Sequence, residues 1–206
     1  MSSYTCECFP EIVSSRVSIR LFKPDSVPDD VLLEIIKSGI NAPSAGNGQQ
    51  WFFIIVKDAE KRKAIHKLLL NAHRLYAEKV LRDPMPREKV DKWMKRIIQG
   101  MYLAPVYIAA YIDLRDRLYK DEFYDLEKMW AIQSISAAIE NMLLTAQALG
   151  LGGVWLGVPL LMRKEFDKIL QPPNNCELQA IIALGYPAEK PKKRPRKPIE
   201  SVIKIL

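Results

Sequence analysis

Between Leu126 and Leu149 the chain carries a helical pattern with no proline and no glycine, and its apolar residues do not keep to one side. Met129, Trp130, Ile132, Ile135, Ile139, Met142, Leu143 and Leu144 circle most of the cylinder. A helix that is apolar all round must be covered all round. In a chain of 206 residues this leaves two arrangements: a central helix inside one core, or a helix shared between subunits. Gly150 and Gly152 mark its end. It does not read as a membrane span, because Gln133, Ser134, Ser136, Glu140, Asn141 and Gln147 interrupt it.

The rest of the chain alternates helix and strand patterns. Pro28, Asp29 and Asp30 open a helix through Ile40, with Val31, Leu32, Ile35 and Ile36 as its stripe. Trp51 to Val56 is a buried strand. Ala59 to Val80 reads as a helix with Leu68, Leu69 and Leu75 inward, Asp83 to Pro86 breaks the chain, and Glu88 to Leu103 is helical again. Val106–Ile112, Val154–Val158 and Leu178–Leu184 read as strands, and Val202–Leu206 as a candidate fifth. Length and a 49% hydrophobic fraction fit one domain over 1–206, with an N-terminal extension (1–11) and a basic C-terminal arm (188–206). Met1–Pro10 lacks the apolar stretch of a signal peptide, so the expected location is the cytoplasm.

Cys6 and Cys8 are too close for an ordinary disulfide and Cys176 is remote, so no disulfide framework is expected. His66 and His73 lie seven apart with no CxxC nearby, which predicts two exposed or half-exposed helix positions and no metal site. The net charge of +7 is unevenly placed: Lys190–Lys197 carries six cations and no acid, leaving +1 for the remainder. Such a tail suits nucleic acid or an acidic membrane, a solvated linker held extended by Pro191, Pro195 and Pro198, or an arm whose arginines reach a phosphate.

The segment Ser14–Phe22 favours the last of these. It sets Arg16, Ser18 and Arg20 at alternate positions, so in an extended chain they share one face. Two guanidinium forks flanking a hydroxyl make a phosphate cradle; the alternative is an edge strand with solvated charges. Two further stretches have turn or strand readings of their own. Ala42–Trp51 (APSAGNGQQW) is a helix-to-strand loop, and Gly152–Gly157 (GGVWLG) is a glycine-bounded strand.

Taken together and in this order, RVSIR, APSAGNGQQW, GGVWLG and RPRKP resemble the FMN-dependent nitroreductase family from about Ile12 onward. The resemblance implies an α+β fold: a mostly antiparallel sheet flanked by helices, with a C-terminal arm reaching to the partner subunit. It implies a homodimer with shared flavin sites, which makes the all-round apolar helix an interface. Arg16 and Ser18 would serve the FMN phosphate and Arg20 the N1/C2-carbonyl side of the ring, while Val17 replaces a basic residue common in the family. Pro43 and Ser44 would touch the partner's flavin, with Asn47 close by. Gln50 stands where proline is typical, which implies a looser approach to the strand. The Gly157 N–H would face flavin N5, and Arg194 and Arg196 would close over the phosphate.

The implied activity is an FMN oxidoreductase that takes a hydride from NADH or NADPH and reduces a nitroaromatic, quinone or related oxidant by a ping-pong mechanism. No catalytic acid, base or nucleophile is expected, since the flavin is the reactive group. The alternative is a family member with a dedicated substrate, performing dehalogenation, dehydrogenation or flavin modification. A flavin-storage or nucleic-acid-binding module is a third reading, against which stands the lack of interleaved basic and aromatic residues outside the tail. Residues 73–99 and 113–127 would cover the flavin, with Tyr76, Trp93, Tyr119, Phe123 and Tyr124 as candidate stacking residues.

Overall fold

A computed structural model describes residues 8–206, so Cys6 lies outside the described residues. Helix α1 (Cys8–Ser15) leads into an extended segment, 16–22, and then α2 (Asp29–Ile40). The order continues β1 (Trp51–Val56), α3 (Ala59–Leu75), α4 (Arg87–Ile98), β2 (Val106–Asp113), α5 (Tyr124–Ala148), β3 (Gly152–Leu156), α6 (Arg163–Leu170) and β4 (Cys176–Gly185). The four strands make one antiparallel sheet in the order β1-β2-β4-β3.

The two central strands, β2 and β4, are apolar and buried along nearly their whole length. Successive side chains therefore feed two cores. Ile108, Ile112 and Ile182 pack with Leu32 and Ile35 of α2 and Ile135, Ile139 and Met142 of α5. Tyr107, Tyr111 and Ile181 pack with Ile65 and Leu69 of α3, Met94 and Ile97 of α4, and Phe166 of α6. The fold is the α+β, sheet-between-helices arrangement that the resemblance implies.

Several boundaries differ from the sequence pattern for local reasons. The fourth helix stops at Ile98, not Leu103: Gln99 N–H and Gly100 N–H close onto Lys95 and Ile97 carbonyls, and Gly100 and Tyr102 take φ of 109° and 70°. The last turn expected of α3, Tyr76–Val80, is a π-turn. β3 ends two residues early because Pro159 follows in a 3₁₀ turn, Val158–Met162. Val202–Leu206 is not a strand: it finds no neighbouring strand among the described residues, and Ile203, Ile205 and Leu206 are exposed.

The expectation for His73 is overturned. It is 3% exposed, its Nδ1–H donates to Leu69 O at 2.7 Å, and its ring stacks on Tyr102 at 4.6 Å. The long helix is also only partly covered. Ile135, Ile139, Met142 and Leu143 enter the chain's own core, whereas Leu126, Met129 and Ile132 stay exposed.

Candidate functional site

Segment 16–22 lies beside β3, where Ile19 N–H donates to Gly153 O at 3.1 Å. That approach requires glycine: a Cβ on Gly152 would stand 2.4 Å from Ile19 Cγ1. The chain leaving β4 pairs with the same segment, Lys23 N–H to Tyr186 O at 2.9 Å and Ala188 N–H to Leu21 O at 3.0 Å. The ladder does not go on past that point, and a side chain replaces it. Glu189 Oε1 accepts Arg20 N–H at 2.6 Å and Leu21 N–H at 3.1 Å. Lys193 Nζ then donates to Ser14 O.

Segment and arm together enclose a pocket of about 120 Å³ lined by Arg16, Val17, Ser18, Arg20, Pro191, Lys192, Lys193, Arg194 and Arg196. The five cradle and arm residues expected from sequence are thus brought together. Six of the nine lining residues are cations and none is acidic, so the pocket is electropositive and suits an anion. Arg16 commits its Nε to Glu140 Oε1 of α5 at 3.1 Å, so its terminal nitrogens are the ones a ligand can use. Arg20 Nη1 donates to Ser18 O at 3.0 Å. Behind Arg20, its carbonyl accepts Tyr102 N–H at 2.8 Å, and Tyr102 rests on His73. Burial lowers the His73 pKa below its usual 6.5, against the opposing pull of the Leu69 carbonyl.

The loop between α2 and β1 is elsewhere. No residue of 43–50 lines the pocket. Ala45 N–H donates to Ser134 Oγ at 3.3 Å, and Ser134 and Glu140 stand about 120° apart around α5. Within one chain, therefore, Pro43, Ser44 and Asn47 do not meet Arg16. Pro43 and Asn47 are exposed, and Ser44 Oγ accepts Gln49 N–H at 3.1 Å. Gly157 is exposed after β3, with no atom within 4 Å of where a Cβ would stand.

Gln50 does not loosen the approach to β1. It is 6% exposed and its Nε2 donates to Glu127 Oε1 at 2.9 Å. Glu127 is fully buried, and also accepts Leu118 N–H at 2.7 Å and Arg117 Nε at 2.9 Å. Burial alone would raise its pKa, but the Leu118 amide, the Arg117 guanidinium and the Gln50 amide together hold it below the usual carboxylate range. Glu127, Glu140 and Glu189 escaped the sequence reading. The only signals available were an acid inside an apolar helix and a glutamine where proline was expected.

The candidate stacking residues divide. Trp93 packs edge-on against His73 and Tyr76, in the core side of the sheet. Tyr119 sits edge-on to Trp130 at 5.1 Å, and Tyr124 lies under the Arg117 guanidinium at 4.9 Å. Among the described residues no cluster of His, Cys, Asp and Glu could hold a metal ion, and no helix is long and apolar enough to cross a membrane.

This architecture defines a class, and comparison with known proteins agrees: the chain belongs to the nitroreductase family, whose model matches residues 13–186. An NADH dehydrogenase of Thermus thermophilus is 30% identical over 202 residues, covering 91% of each chain. An iodotyrosine deiodinase of Thermotoga neapolitana is 26% identical over 189 residues, covering 90% of this chain and 92% of its own. The FMN complex of a Desulfovibrio desulfuricans protein aligns over 95% of this chain and 94% of its own, at 25% identity and a TM-score of 0.70. The chain is a nitroreductase-family oxidoreductase with flavin-binding structural neighbours.

Proposed function

We propose that the protein is an FMN-dependent NAD(P)H oxidoreductase that reduces small oxidants such as quinones and nitroaromatics. The observation that carries this reading is the pocket in which Arg16, Ser18, Arg20, Arg194 and Arg196 converge without a carboxylate on its lining. A hydroxyl donor amid guanidinium forks fits one phosphomonoester. Bound FMN supplies the redox chemistry, accepting a hydride from NAD(P)H and passing electrons to the oxidant. The chain's residues bind and orient. Arg16, Ser18, Arg194 and Arg196 would hold the phosphate, Arg20 would add positive charge beside the ring, and Gly157 would offer it a backbone N–H from an uncrowded position.

Pro43, Ser44 and Asn47 reach a flavin only in a second copy, because in one chain they lie on a different face of α5 from the cradle. The working unit is accordingly a cytoplasmic homodimer, and the exposed Leu126, Met129 and Ile132 of α5 belong to its interface. Nucleic acid has no place in this reading, since the arm's arginines are used at the pocket.

The test is an absorbance spectrum of purified protein with identification of the released cofactor, then addition of NADH or NADPH under argon. Yellow protein that releases FMN and is bleached by either donor is expected. Protein that stays colourless after reconstitution with FMN would overturn the reading. The alternative of a dedicated substrate is favoured by the likeness to an iodotyrosine deiodinase; it predicts one preferred halogenated or heterocyclic substrate and weak quinone turnover.

A further inference from the structure

Leu118 and Tyr119 sit on the two glycines of the loop before β1. A Cβ on Gly46 would stand 2.7 Å from Tyr119 Oη, and one on Gly48 would stand 2.7 Å from Leu118 Cδ1. The segment carrying them is not helical or sheet-like between Leu114 and Lys120, so backbone ladders do not hold it. Its start is tied by Leu114 N–H to Asn175 O at 2.9 Å and by Arg115 N–H to Asp113 Oδ1 at 3.1 Å, and its middle is held by the Glu127 carboxylate. Glu127 Oε1 accepts Leu118 N–H at 2.7 Å and Gln50 Nε2 at 2.9 Å, while Oε2 accepts Arg117 Nε at 2.9 Å. Arg117 spends its remaining donors on the same segment, on Asp121 Oδ1 at 2.6 Å and on the Tyr119 and Lys120 carbonyls at 3.3 Å.

We propose that Glu127 is a positioning residue that fixes the Leu118–Tyr119 segment over the Gly46–Gly48 loop and thereby sets which oxidants the enzyme accepts. The proposal rests on the FMN reading, in which that loop borders the partner's flavin. Leu118 is 51% exposed while its backbone is pinned, so it presents a fixed apolar surface beside the loop. A fixed wall discriminates by size, because a bulky ring must displace it and a small one need not. Only an acid can do this with one side chain: its two oxygens accept three donors, whereas an amide would turn an N–H toward Arg117 or Gln50. Gln50 supplies a donor that a proline at this position could not.

The experiment uses the FMN-loaded protein and two variants, Glu127→Gln and Gln50→Ala. The second guards against a fold that does not tolerate the first. Trypsin can cut the segment at Arg115, Arg117 and Lys120, so cleavage there reports its release. Cleavage is expected to quicken about fivefold in both variants. The ratio of kcat/KM for menadione to that for p-benzoquinone should change about threefold, carried by KM, with FMN affinity and the rate of reduction by NAD(P)H held within about twofold. Unchanged cleavage overturns the positioning role. Faster cleavage with an unchanged ratio overturns the role in selecting oxidants. If the wild-type protein binds no FMN, the FMN reading falls and with it the role in selecting oxidants, while the cleavage result still decides whether Glu127 holds the segment.

Discussion

The cradle at residues 16–20 and the loop at 43–48 are two halves of one proposed flavin site, built on opposite principles. The cradle is a surplus of half-buried positive charge held in place by backbone: strand-like pairing of 19–23 with 153 and 186–188, finished by the Glu189 carboxylate. The loop is nearly uncharged at its surface and is held by polar bonds to α5, Ala45 N–H to Ser134 and Gln50 to the buried Glu127, whose other oxygen takes the half-buried Arg117. A phosphate needs cations that keep their charge at the surface, and cations need only a rigid track. A ring and a substrate need shape, and shape in an irregular loop needs buried polar bonds. The two halves should therefore fail in different ways.

The largest effect is expected from Gly152→Ala. Its methyl would meet Ile19 at 2.4 Å and its Cβ at 2.8 Å, so segment 16–22 must move off β3. Overpacking of this kind costs about 1–3 kcal/mol, and here it also spreads the cradle, so thermal stability and FMN affinity should fall together. Gly46→Ala makes the comparison. That residue has φ of 57°, which costs a side chain about 1 kcal/mol, and the new methyl displaces Tyr119. Stability should fall less, and the change should appear in the KM for the oxidant. If Gly46→Ala weakens FMN as much as Gly152→Ala does, the two halves are not separable.

A smaller effect, confined to the cradle, is expected from Arg194→Ala with Arg196→Ala. Loss of two charge-assisted contacts should weaken FMN at least about tenfold. Replacing Lys190, Lys192 and Lys193 should matter much less even though Lys192 and Lys193 line the pocket, because exposed ammonium groups are screened and make no forked contact. Titration of FMN into both sets, with nucleic acid titrated in parallel at two salt concentrations, decides the arm's role. Equal loss of nucleic-acid binding in both sets, with FMN untouched, would remove the arm from the site.

The same contrast explains what the sequence disclosed. The cradle was legible because alternation of Arg16, Ser18 and Arg20 is a backbone property, and an extended chain leaves only one geometry for it. β2 and β4 were legible because they are buried on both faces and read as continuous apolar runs. The candidate fifth departs from its pattern because Val202–Leu206 has a strand's composition but no neighbour to pair with among the described residues of one chain. The loop's anchoring was illegible. Gln50 lies 77 residues from Glu127, Arg117 and Glu127 belong to different elements, each is an ordinary surface residue by type, and only the fold reveals that they share one bond network. His73 was misjudged likewise, since its burial is decided by Tyr102 and Trp93 closing on it from α4 and beyond.

The smallest effect separates the halves by pH. His73 underlies Tyr102, whose N–H holds the Arg20 carbonyl, so it belongs to the cradle side. Burial, with His66 pushing the same way, lowers its folded pKa below 6.5. The unfolded chain then binds the proton more readily, so this contribution to stability is complete above pH 6.5 and is lost as pH falls from there through the folded value. Glu127 belongs to the loop side, and its folded pKa is lowered from 4.5. Its contribution is complete above pH 4.5 and is lost as pH falls through the lower folded value. Between pH 6.5 and 4.5 only the cradle side should weaken. Hydrogen exchange at the Tyr102 and Leu118 amides, corrected for intrinsic rates, measures both sides in one sample. Tyr102 should lose protection in that window and Leu118 should keep it, and His73→Phe, which preserves the stack without the titrating group, should abolish the difference. Parallel loss at both amides would mean that the cradle and the loop open as one unit, with no independent failure of either half.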